Sequence, residues 1–177
     1  LADAVLDAGR NAVLDPGNPQ AILIEMNRAD VSLHRGNFNQ CLARLRDCPT
    51  PDSAWLQHAH TALNGLCYLE LGRVNEAFGA AESVTRDLQA TSLFTGDVSF
   101  SILFATRCAF LARREREVEE LVERTIQAYC DRDLVCRLRL LIAKAEVFAR
   151  RSPGIAWSIC DNVLNTADHL GLVATRE

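Results

Sequence analysis

The run LNGLCYLELGRVNEAFGAA at residues 63 to 81 most constrains what this chain can fold into. It carries the pattern Gly65-x2-Tyr68-x3-Gly72-x4-Ala77, which places small residues where two helices must touch. Gly65 lets a second backbone come close, Tyr68 fills the space one turn later, and Gly72 ends the first helix in a left-handed cap. Ala77 then keeps the returning helix near. The pattern predicts one αα-hairpin and raises the question of whether the remainder repeats it.

Apolar residues recur at helical spacing almost throughout, as in Val118, Leu121, Val122 and Ile126, or in Ile155, Ile159, Val163 and Ala167. No segment alternates with period two. Breaks fall at DPGNP (15–19), Gly36-Asn37, CPTPD (48–52), Gly72, TGD (95–97), Asp131-Arg132-Asp133 and Ser152-Pro153-Gly154. They predict an all-α chain of about nine helices over 1–14, 20–35, 38–47, 52–71, 74–91, 97–112, 115–130, 133–150 and 154–170. Small residues seven positions before each break, at Ala29, Gly65, Ala105 and Ala145, place four hairpins whose turns lie at Gly36, Gly72, Ala112 and Ser152. Successive turns are then spaced by 36, 40 and 40 residues.

On Gly65, Tyr68, Gly72 and Ala77 the chain resembles the tetratricopeptide repeat family, and AVLDPGNPQA at 12–21 resembles the Asp-Pro ending of a preceding repeat. Departures are present. Thr61 and Asn64 stand where the family pattern W-x2-L has Trp and Leu, Ala81 stands where Phe is usual, and the later copies lack the closing Pro. The resemblance implies a right-handed superhelical solenoid over the whole chain. Residues 1–18 would be the second helix of a preceding repeat, 19–51, 52–94, 95–131 and 132–170 four repeats, and 171–177 the start of a following helix. A single hairpin cannot bury its apolar faces, whereas a stack can. Leu1, Val5 and Leu6 at one end, and Leu170, Leu172 and Val173 at the other, would meet neighbouring repeats, a partner or a second copy end to end. The chain starts without Met, and the expectation is a segment of something longer.

In such arrays the first helix of each hairpin lines a concave groove. The register set by Gly65 puts Leu23, Met26, Asp30, Ala62, Leu66, Leu69, Ile102, Thr106, Phe110, Ile142 and Glu146 there. If that register slips by one, the same residues face the core. Family members that clamp a peptide's terminal carboxylate use Lys, Arg and Asn at these places, where this chain has Ala62 and Leu66. The resemblance therefore implies a non-catalytic protein–protein interaction scaffold that takes an extended or helical partner segment, as in large multi-subunit assemblies. Two other classes stay open: a sensory or oligomerisation segment of a bacterial signal-transducing ATPase transcription activator, and an enzyme fragment.

A formal charge of −4 supplies no basic face for nucleic acid or an anionic membrane. Seven cysteines, several of them within apolar helical patterns, read as reduced, buried thiols of an intracellular protein. Neither Cys41-x6-Cys48 nor Cys130-x5-Cys136 has zinc spacing, and no metal or other cofactor is expected. His58-x-His60 reads as the solvated start of a helix, its rings pointing in different directions, and His34 and His169 read as cations complementing helix C-termini. Asp131 and Asp133 read as N-caps rather than an acid/base pair. RREREVEELVER at 113–124 reads as a solvated face with Arg116–Glu120 and Glu120–Arg124 pairs one turn apart.

Overall fold

The computed structural model describes Gly9 and residues 18–90, 98–129 and 133–171. Among these residues the chain is all-α, with eight helices and no strand: α1 (Pro19–His34), α2 (Phe38–Asp47), α3 (Ala54–Glu70), α4 (Val74–Ala90), α5 (Ser99–Leu111), α6 (Arg116–Tyr129), α7 (Leu134–Phe148) and α8 (Pro153–His169). Each falls within two residues of its predicted span. Apart from Gly9, the predicted helix at 1–14 lies outside the described residues, as do Asp131, Leu172 and Val173. No described helix is long and apolar enough to cross a membrane. The chain divides into two compact units, 1–83 and 84–177, with the boundary inside α4.

Local chemistry accounts for the helix starts. The Asn18 side chain accepts a hydrogen bond from the Gln20 amide at 2.9 Å, and Pro19 opens α1 with its φ already helical. Asp133 Oδ1 accepts from the amides of Val135 (2.7 Å) and Cys136 (3.1 Å), so it caps α7 as expected. Pro153 opens α8, and His34 and His169 stand in the last turns of α1 and α8 as expected.

In the first unit α1 packs on α2 and α3, and α2 packs on α3. Their shared core holds Ile22, Met26, Leu45, Leu56 and Leu63, with Ala29, Cys41, Ala62, Gly65 and Cys67 supplying small surfaces. Burying a large side chain contributes roughly 1.5–3 kcal/mol, and small neighbours let the backbones approach closely enough to do so. The two histidines of α3 correct the sequence reading. His58 is buried, and His60 Nε2 lies 3.0 Å from the Leu45 carbonyl, joining α3 to α2. A two-residue offset does point the rings apart, but both point into protein.

In the second unit α5 packs on α6 and α7, α6 on α7, and α7 on α8. Phe104, Ile102, Leu121, Val122 and Leu140 are among its most buried large residues. The charged run is another correction, because its carboxylates reach other elements. Glu119 takes two hydrogen bonds from Arg151 (2.6 and 2.9 Å), Glu115 one from Arg150 (2.7 Å), and Glu123 pairs with Lys144 at 2.7 Å. Arg124 donates to the Leu88 carbonyl at 2.8 Å. Val118, Leu121 and Val122 face the core as the pattern predicts.

The turns set the register. After α1, Gly36 (φ +74°) donates to the Leu33 carbonyl and Asn37 to that of Ser32. After α3, Gly72 (φ +70°) donates to Leu69 and Arg73 to Tyr68. The same paired bonds follow α5, but the left-handed residue there is Arg113 (φ +59°), donating to Phe110, with Arg114 donating to Ala109. The turn equivalent to Gly72 is therefore Arg113 and not Ala112. Sequence spacing alone favoured Ala112 because a small residue was sought, while the backbone places a bulky one in the strained position.

Candidate functional site

The one-residue shift decides which side chains of α5 reach the surface. Counting back seven from Arg113 reaches Thr106, so Thr106 holds the place of Gly65, and Leu103 and Arg107 hold those of Ala62 and Leu66. Ile102 and Thr106 are both fully buried, and the Thr106 hydroxyl donates to the Ile102 carbonyl at 2.8 Å. Leu103 is half-buried and Arg107 exposed. Ile102 and Thr106 are thus core residues.

In the first unit Leu23 is 38 % exposed on α1, Asp30 is half-buried, and Leu66 and Leu69 are half-buried on α3. Met26 and Ala62 are buried. α1 packs directly on α3, and Leu23, Asp30, Leu66 and Leu69 are the candidate positions of the two helices that keep accessible surface.

In the second unit α5 and α7 pack likewise, and Arg107 Nη2 reaches Glu146 Oε1 at 3.4 Å. That pair joins the positions equivalent to Leu66 on successive helices. Phe110 is half-buried with the Arg150 guanidinium 4.0 Å above its ring, while Arg150 Nη1 donates to the Phe110 carbonyl at 2.6 Å. Ile142 and Glu146 are half-buried on α7. Burial pushes the Glu146 carboxyl above its ordinary value, against the opposing pull of Arg107, and its Oε2 is buried with no hydrogen-bond partner. Between α7 and α8 the surface opens into a cleft of about 410 Å³ bordered by Ile142, Glu146 and Trp157.

No family model, no curated protein and no solved structure matches the chain. Its chemistry is therefore read from the side chains alone. Burial pushes the Cys108 thiol up to about 12, and a hydrogen bond with Cys67 together with burial raises Cys41, so neither of these two is primed as a nucleophile. Among the described residues no three His, Cys, Asp or Glu side chains converge as a metal site.

Sequence reasoning missed Arg107 and Trp157, the latter 69 % exposed on α8. A signal for Arg107 was present. Arg73 pairs with Glu76 at 2.8 Å just after the Gly72 turn, and Arg114 pairs with Glu117 at 2.6 Å just after Arg113. The recurrence of R-x2-E, from Arg73 to Arg114, marks a spacing of 41 residues and sets the third register correctly.

Proposed function

We propose that the chain is a non-catalytic interaction scaffold, a tetratricopeptide-like solenoid that binds an extended or helical segment of a partner protein along its alternate helices. The observation that carries this reading is the side-by-side packing of α1 on α3 and of α5 on α7. In the second unit it brings Arg107 and Glu146, on successive alternate helices, together at the surface. The first unit supplies an apolar band in Leu23, Leu66 and Leu69, and the second supplies Arg107, Phe110, Ile142 and Glu146. Apolar contacts of this kind contribute roughly 1.5–3 kcal/mol per large side chain before the cost of ordering the partner. The charged pair on the second unit would set direction and register more than affinity. Leu170, 50 % exposed just beyond α8, fits a further repeat or an end-to-end contact.

Leu66→Glu tests this reading. It places a charge at a half-buried position of α3, and the expected outcome is loss of partner capture with the helical circular dichroism spectrum unchanged. Retained capture by a folded Leu66→Glu variant would remove the groove from the proposal.

A further inference from the structure

The cleft between α7 and α8 sets one carboxylate among apolar side chains. Glu146, Ile142 and Ala149 from α7 face Ala156, Trp157 and Cys160 from α8 across about 410 Å³. That volume suits a small organic group. All of these lining side chains except Glu146 are apolar or weakly polar, and Glu146 keeps 23 % of its side chain exposed. Among the described residues its Oε1 has the 3.4 Å ion pair with Arg107, and its Oε2 is buried with no hydrogen-bond partner. A carboxylate held among apolar groups with an unsatisfied oxygen is costly unless a cation compensates it. Opposite stands Trp157, whose indole is the best aromatic partner for a cation.

We propose that this cleft binds a monovalent organic cation on an apolar body, an alkyl- or aryl-ammonium or a guanidinium, with the charge against Glu146 and the body across Ala149, Ala156 and Trp157. An anion is repelled by Glu146. A neutral apolar ligand leaves Oε2 unsatisfied, and a metal ion finds one carboxylate where it needs several. The cation can be a free amine or the basic side chain of a bound partner. The proposal rests on the interaction reading only in that Ile142 and Glu146 belong to the same surface.

The chain has two tryptophans, so Trp55→Phe leaves Trp157 as the single fluorescent reporter. In that background benzylammonium and its uncharged isostere benzyl alcohol are titrated against the protein. The expected result is saturable change in Trp157 emission, with benzylammonium binding about fivefold tighter, the worth of one ion pair. Glu146→Gln, which keeps an acceptor for Arg107, is expected to abolish that preference. Absence of saturable binding by benzylammonium, or a charge preference that survives Glu146→Gln, would overturn the proposal. N-acetylargininamide separates the two sources: tighter binding than benzylammonium points to a partner's arginine and weaker binding to a free amine, each requiring Glu146. Leu66 lies in the other unit, so failure of this titration and failure of the capture experiment are distinguishable.

Discussion

Arg113 occupies a left-handed backbone position that glycine holds at residues 36 and 72, and at φ +59° a side chain with a Cβ is strained by about 1–2 kcal/mol. The two kinds of turn residue therefore give opposite expectations. Arg113→Gly should raise stability, read as a higher urea midpoint, by up to about 1 kcal/mol once the greater freedom of glycine in the unfolded chain is subtracted. Gly72→Ala should lower stability by about 1 kcal/mol, and from backbone strain alone, because a Cβ there meets nothing within 4 Å. Equal effects of one sign in the two variants would contradict the turn equivalence. The glycine turns were legible in the sequence because glycine announces a positive φ. Arg113 was not, since nothing in its own chemistry asks for that conformation, and the error of one residue moved Ile102 and Thr106 from the core to an imagined surface.

At the scale of elements, the spans of the eight described helices were readable because the apolar period and the break residues agree, as at Asn18-Pro19 and at Asp133. What the charged run 113–124 does was not readable. Pairing within a helix is local and visible as i,i+4 spacing, whereas Arg151 with Glu119 and Arg150 with Glu115 join positions more than thirty residues apart and depend on how α6 and α7 pack. These contacts have a pH signature. Hydrogen bonding from Arg151 holds the Glu119 carboxyl below its ordinary value, so the pair stabilises the folded state above the unfolded carboxylate value near 4.3. That contribution is lost as the pH falls through the depressed folded value. The melting temperature of the wild type is thus expected to drop more steeply between about pH 5 and about pH 3 than that of Arg151→Ala, with the two curves converging in acid. Parallel curves would show that the Arg151–Glu119 pair adds nothing to folding. Both side chains are about one-third exposed, so the effect is small and best read as a difference in slope.

For the whole molecule, composition and helical period were enough to read an all-α fold, and the resemblance carried by Gly65, Tyr68, Gly72 and Ala77 supplied the interaction reading. The candidate surface was legible only in part. Leu23, Asp30, Leu66, Leu69, Phe110, Ile142 and Glu146 do keep accessible surface, while Met26, Ala62, Ile102 and Thr106 are buried. A row of equivalent positions inherits every register error, and burial also depends on the neighbouring helix, which no single segment encodes. Met26 and Ala62 illustrate the second cause. Both are buried in the unit where α1 packs on α3. Trp157 enters the candidate surface from the structure alone, through exposure that follows from packing, whereas the R-x2-E recurrence carried a signal for Arg107.

Site-specific photo-crosslinking tests the interaction reading most directly. A benzophenone amino acid placed at residue 66, within the half-buried band of α3, is compared with the same group at residue 86, an exposed position on α4. The expected result is a discrete covalent adduct with one partner protein from position 66 and none from position 86. Adducts from position 86 with none from position 66 would contradict the assignment of the binding surface to the alternate helices.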